Sequence, residues 1–289
     1  MNKERLLLTH KEILSEKLSG INTALSEYLF ANLYLFRDKH DYRLINDNGN
    51  IFLSGITYDS KTFLMPLCDL SADENAAYLA ELIEKAADYD MIYPIPENWL
   101  DKFPNDKFDV SYTEDDSDYL YETEKFVSYS GRKLHSKRNL VAQFMRDYKA
   151  EILPLNDENS YLAIEVLNRW QEESGSTKEQ TDFQPCLEAL RNAEKLNQTG
   201  QIFLIEGVPE GFVCAQRYNK EYSVIHFAKA NGKVKGIYQY MFSVFARENK
   251  EMQCRFINLE QDLGKEGLRS MKKSYHPLEL LHKYRITAK

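Results

Sequence analysis

His226, Glu260 and Asp262 are the side chains of the C-terminal half best suited to moving a proton. Imidazole titrates near neutrality, so His226, in the run YSVIHFAKA (222–230), could take a proton from an attacking amine or hydroxyl. A core histidine with one satisfied hydrogen bond is the competing reading. Glu260 ends the run QCRFINLE (253–260) and Asp262 follows it; both could bind a substrate ammonium or act as base, while Asp262 is equally placed to cap a helix starting near Gly264. Lys229, Lys233 and Lys235 crowd a loop that also holds Asn231, Gly232 and Gly236, and no Ser, Thr, Asp or Asn directly precedes Ile237. The first amides of a helix have no partners within it and carry partial positive charge, so this loop is expected to receive an anion, with phosphate the natural guess. A plain connection with solvated lysines has the same composition. Arg269, Lys272 and Lys273 form a second cationic cluster, since on a helix 269 and 273 share a face and 272 lies close by.

Those residues need a strand, a loop and a helix in succession. The β-branched and aromatic run 222–230 predicts a strand, and Ile237, Met241, Val244 and Phe245 predict a helix from 237. Around them, helices are predicted at 157–173 and 183–196 and strands at 201–206, 211–218 and 253–260. The first half reads similarly. A helix over 10–19 and a buried aromatic run at 26–36 precede strands at 42–46, 51–57 and 62–68, the first two joined through Asp47, Asn48, Gly49 and Asn50. A helix over 74–89, with Leu79, Leu82, Ile83 and Ala86 on one face, leads to a strand at 91–95. Each half is thus a helical start, antiparallel strands, a helix and a strand. That order predicts an α+β protein of two tandem GNAT-like (acyl-CoA N-acyltransferase) domains, mixed sheets flanked by helices, at 1–128 and 150–289, with a basic linker helix at 129–149. In such a fold the strands before and after the central helix part, and an acyl donor lies in the slot.

The net charge of −8 argues against a chain coated in nucleic acid, but the charge is uneven. Residues 101–124 are strongly acidic, whereas Arg132, Lys133, Lys137, Arg138, Arg146 and Lys149 make 132–149 basic. Leu134, Val141, Phe144, Met145 and Tyr148 fall near one side of that helix, leaving the cations to grip a polyanion or to pair with the acidic segment. The four cysteines form no CxxC pair and no HExxH occurs, so buried reduced thiols are expected, with no metal and no tightly bound cofactor. No apolar run approaches the roughly 18 residues of a membrane span, and the N-terminus lacks a secretory signal pattern, so a cytoplasmic protein is expected.

Several phrases, SEYLFANLYLF (26–36), YPIPENWL (93–100), GRKLHSKRN (131–139), HFAKAN (226–231) and above all FINLEQDLGKEGLRSMKKSYHP (256–277), resemble bacterial proteins that share the C-terminal domain of phosphatidylglycerol lysyltransferase. The resemblance runs over essentially the whole chain. It implies a tandem GNAT fold related to the lysyl-phosphatidylglycerol synthases and the Fem peptidoglycan-bridge enzymes, with aminoacyl-tRNA as donor. By that likeness Asn258 and Leu259 match the end of the last core strand, Arg269, Lys272, Lys273 and Pro277 the basic run after it, and Lys137 and Arg138 the tRNA-gripping helix. Two departures stand out. The large membrane-embedded half of the lipid synthases has no counterpart here, which weighs against a lipid acceptor. An acidic residue on the strand before the central helix has no clear counterpart either: His226 is the nearest polar residue, and Ala228 stands where related short proteins read HFEKA.

Three functions follow as expectations. The first is an aminoacyl-tRNA-dependent acyltransferase acting on an unknown amine or hydroxyl, with His226, Glu260 and Asp262 at the chemistry. Lys229, Asn231, Gly232, Lys235, Gly236, Asn258, Arg269, Lys272 and Lys273 would hold the donor, and Arg132, Lys133, Lys137 and Arg138 the tRNA. The second is an acyl-CoA-dependent N-acyltransferase of a small amine, ranked lower because Gly232 and Gly236 stand farther apart than a coenzyme A loop wants. The third is a non-catalytic RNA or nucleotide binding protein.

Overall fold

The computed structural model describes residues 2–47 and 49–289. Strand β1 (Asn2–Arg5) is followed by helices α1 (Lys11–Ser19) and α2 (Phe30–Phe36). Strands β2 (Arg43–Asp47), β3 (Asn50–Ile56) and β4 (Thr62–Pro66), helix α3 (Ala76–Ala86) and strands β5 (Met91–Ile95) and β6 (Phe108–Ser111) come next. The chain continues through β7 (Asp118–Glu122), α4 (Thr123–Ser128), α5 (His135–Asp147), β8 (Ala150–Pro154), α6 (Ser160–Ser174) and α7 (Phe183–Arg191). Then follow β9 (Thr199–Ile205), β10 (Val208–Arg217), β11 (Tyr222–Ala230), α8 (Ile237–Glu251), β12 (Phe256–Asn258), α9 (Glu266–Lys273), β13 (Glu279–Leu281) and β14 (Tyr284–Ala288).

Among the described residues the strands form two sheets, ordered β1-β2-β3-β4-β5-β14-β6 and β13-β7-β12-β11-β10-β9-β8. Each contains one parallel pair joined through a helix: β4 and β5 through α3, and β11 and β12 through α8. The remaining registers given are antiparallel. The expected hairpin between β2 and β3 forms, with Asp47 opposite Asn50 and Gly49 at φ +88°, the left-handed conformation that glycine adopts without a steric penalty. Asn48 lies outside the described residues.

The compact units are discontinuous in sequence. One comprises 1–118, 261–265 and 280–289; the other comprises 119–260 and 266–279. This departs from boundaries at 128 and 149. Helix α5 belongs to the second unit instead of standing apart, because Val141 and Phe144 are buried and Phe144 stacks on Tyr240 of α8 at 4.4 Å. Met145, expected on the buried side, is 58% exposed. The acidic stretch 101–124 hides β6 and β7. Its charges mask the core-forming Tyr119, Leu120 and Tyr121, and β7 pairs antiparallel with β12. Strand β14, also unread in the sequence, pairs with both β5 and β6.

The core of the second unit explains how α8 is held. Ile237, Met241, Phe242 and Phe245 are buried on its inner face, each such side chain contributing about 1.5–3 kcal/mol. Gly211 on β10 permits the approach: a Cβ there would stand 2.5 Å from the Met241 sulfur. Phe126, Tyr129, Phe242 and Tyr275 close the unit with ring contacts of 5.2–6.1 Å. Cys186, Cys214 and Cys254 are buried free thiols, whereas Cys68 is half-buried.

Candidate functional site

β11 and β12 run parallel only from Tyr222↔Phe256 to Val224↔Asn258. Past that point β11 continues for six more residues, to Ala230, while β12 ends. Two local devices part them. On β11, Ala215 pairs with Ile225 and Cys214 with Phe227, so His226 is the extra residue of a β-bulge. A bulge re-aims a side chain and interrupts the ladder. After β12, Glu260 adopts φ +57°, a left-handed turn unusual for a non-glycine residue. That turn is fastened from three sides. Glu260 N donates to Asn258 Oδ1 at 2.6 Å, its carbonyl accepts from Tyr119 N at 3.2 Å, and Lys272 Nζ donates to the carbonyls of Leu259 and Glu260 at 2.7 and 3.0 Å.

The two residues parted in this way meet through their side chains. His226 Nδ1 lies 2.8 Å from Glu260 Oε1, with the histidine side chain 0% and the carboxylate 12% exposed. The geometry assigns the tautomer: Nδ1–H donates to the carboxylate, which leaves the Nε2 lone pair available. Nε2 is buried and makes no hydrogen bond among the described residues. The bulge and the Glu260 carboxylate together hold the imidazole in one orientation where the two strands part.

The other expected residues divide. Asp262 does not join the pair. It belongs to the first unit, where its buried carboxylate accepts from Gly264 N at 2.8 Å and shapes the turn before α9, close to the capping role considered for it. Lys229 does not emerge at the loop: it is 8% exposed, donates to both Asp182 oxygens at 2.7 and 2.9 Å, and sits 3.7 Å from the Trp170 ring centroid. Neither Asp182 nor Trp170 was legible as its partner. Asn231 closes an Asx turn onto Lys233 N and donates to Glu210 at 3.0 Å, so its side chain is structural. Gly232 and Lys235 are exposed.

Gly236 is the clearest correction. It caps α8 at φ +84° with no side-chain cap, as expected, but it is buried, and a Cβ there would stand 2.4 Å from the Leu140 carbonyl oxygen of α5. Ile237 N also bonds Val234 O at 3.3 Å. The backbone of α5 therefore lies against Gly236 at the helix tip. The cationic cluster of α9 separates too. Lys272 is buried and holds the Glu260 turn, Lys273 is exposed, and Arg269 is half-buried. Asn258 is fully buried and spends its amide oxygen on Glu260 N. Tyr275 packs in the aromatic cluster, its hydroxyl accepting from Gln239 at 3.0 Å.

On α5, Arg138 Nη1 donates to Tyr129 O at 3.0 Å, and Lys137 lies 4.3 Å from the Tyr275 ring centroid, where burial lowers its pKa. Arg132 and Lys133, just before the helix, are exposed and make no ion pair among the described residues. No grouping of His, Cys, Asp and Glu among the described residues is arranged to hold a metal ion, and no described helix is long and apolar enough to cross a membrane.

A Bacteroides thetaiotaomicron protein of unknown function has a similar structure, with a TM-score of 0.87 over 100% of both chains at 23% identity. L-PGS from Bacillus licheniformis matches at TM-score 0.64 and 17% identity, covering 96% of this chain and 91% of that one. An uncharacterized protein of Mycoplasmoides gallisepticum is 24% identical over 62% of this chain, which spans 59% of that relative's length. The structural likenesses support the expected fold, two GNAT-like units in tandem with mixed sheets flanked by helices. Residues 19–287 match the family described as phosphatidylglycerol lysyltransferase, C-terminal, and the chain belongs to that family.

Proposed function

We propose that this chain is an aminoacyltransferase that moves an aminoacyl group from aminoacyl-tRNA to an amine or hydroxyl, with His226 as general base and Glu260 as the group that orients it. The carrying observation is the buried Nε2 of His226, unpaired and fixed through Nδ1, where β11 and β12 part. The acceptor's nitrogen or oxygen attacks the ester carbonyl carbon and Nε2 takes its proton. The bond to the ribose oxygen breaks, that oxygen receives the proton from the imidazolium, and uncharged tRNA leaves. Glu260 stabilises the imidazolium between these steps without itself becoming protonated. The ester is already activated, so holding the reactants in line supplies much of the acceleration.

Two features favour a tRNA donor over coenzyme A. The Gly236 end of the helix tip, where a diphosphate would be cradled, is filled by Leu140. Arg132 and Lys133 leave cations exposed for a polyanion. A labelled aminoacyl-tRNA pool tests the reading. Wild-type protein should discharge it to an added amine in single turnover, and His226→Gln should slow this about 10²–10⁴-fold, the usual worth of a general base. Equal rates in both proteins, or discharge of acetyl-coenzyme A instead, would sink it.

A further inference from the structure

The first unit holds a cavity that the acyl-transfer reading does not use. It has a volume of about 20 Å³ and lies beside the parallel pair β4 and β5; its lining includes Glu27, His40, Tyr42, Tyr58, Tyr93 and Asp116. That space holds one small polar head and nothing larger.

Its wall carries unspent hydrogen-bonding capacity. Tyr42 and Tyr93 are 4% and 7% exposed, and among the described residues neither phenol hydroxyl has a hydrogen-bond partner, although both residues line the cavity. Neither hydroxyl oxygen is among the sealed polar atoms, so each can take a polar partner delivered from the cavity itself. Burial, and then the nearby Glu27 charge, push both phenols well above their ordinary pKa, so they stay neutral and can accept as well as donate.

The carboxyls of the cavity are held in buried ion pairs. Lys283 Nζ is shared between Glu27 Oε1 at 2.5 Å and Asp118 Oδ1 at 2.7 Å, and Arg285 between Asp116 at 2.6 Å and Asp59 at 2.7 Å. Of these carboxyls, Glu27 and Asp116 line the cavity itself. Aromatic faces beside carboxyl oxygens attract an organic cation. A primary ammonium has three N–H donors, matching the Glu27 carboxylate and two phenol oxygens.

We propose that this cavity binds the primary ammonium head of a small amine, whose carbon chain leaves past the half-exposed ring of Tyr58. The site stands independently of the acyl-transfer reading. Methylammonium chloride is the probe, with sodium chloride and tetramethylammonium chloride at equal ionic strength as controls. Methylammonium should raise the melting temperature saturably, and neither control should, since one lacks N–H donors and is too large and the other lacks both carbon and N–H. Tyr42→Phe and Tyr93→Phe keep the rings and should each weaken the methylammonium midpoint about tenfold, while His226→Gln leaves it unchanged. A response no greater than that to sodium chloride means a cavity filled by water only and overturns the proposal. So does a midpoint unmoved in both tyrosine variants.

Discussion

Lys283→Met removes a fully buried ammonium from between two buried carboxylates and leaves an apolar side chain one atom shorter. Nζ lies within 2.5 Å of Glu27, 2.7 Å of Asp118 and 2.9 Å of Gln261 Oε1. Breaking one side of such a buried network costs about 3–5 kcal/mol, because the charges left behind are uncompensated. With a urea m value near 2 kcal/mol/M, that lowers the unfolding midpoint of the first unit by about 2 M. The chain has two tryptophans, Trp99 in the first unit and Trp170 in the second, so a Trp170→Phe background reports the first unit alone through the fully buried Trp99. The pH dependence separates electrostatics from packing. Burial raises the Glu27 carboxyl from 4.5 to about 7, against the pull of Lys283 and with the help of Asp118. A carboxyl raised on folding contributes stability that is present below its unfolded pKa and is lost as pH rises through the folded value. Without Lys283 that carboxyl rises further, so the destabilisation should deepen between pH 5 and pH 8.5. Adding Glu27→Gln and Asp118→Asn should recover most of it, since a buried network replaced by neutral groups of similar shape is often tolerated. A loss independent of pH, or unrelieved in the triple variant, would show that a void and not a charge is responsible and would refute the argument.

Lys272→Met should cost about 2–4 kcal/mol in urea unfolding, because two charge-assisted hydrogen bonds to the Leu259 and Glu260 carbonyls are lost, and it should lower the transfer rate through the displaced carboxylate. Gly236→Ala should destabilise the second unit by about 1–3 kcal/mol, both through φ +84° and through the Leu140 carbonyl 2.4 Å from the new methyl; Gly232→Ala, with nothing within 4 Å, should melt like wild type. The double variant Arg132→Ala with Lys133→Ala should weaken tRNA binding and flatten its salt dependence by about one to two phosphate contacts, whereas Lys137→Ala should act mainly through its lost contact with the Tyr275 ring.

The order of elements was legible because it depends on near-neighbour patterns. The β-branched run of β11 and the apolar face of α8 require no knowledge of the rest of the chain, and the strand, helix and strand in each half predicted two GNAT-like units. Segments whose local signal was overruled by charge were missed. β7 reads DYLYE, and Asp118 is tolerated at 0% exposure only because Lys283 reaches it. β14 reads YRITA and carries Arg285, whose charge is taken up by Asp59 and Asp116.

Side-chain identity marked His226, Glu260, Lys229 and Lys272 as residues able to do chemistry, but not which of them the fold pairs off. That depended on partners remote in sequence: Glu260 is 34 positions from His226, Asp182 is 47 from Lys229, and Glu27 is 256 from Lys283. Local periodicity determines where a chain is helical or extended, because those hydrogen bonds and apolar faces repeat over a few residues. Whether a lysine is spent on an aspartate, or a histidine nitrogen is left unpaired, is decided only when sheets bring distant strands together, since burial and charge pairing are properties of the assembled core.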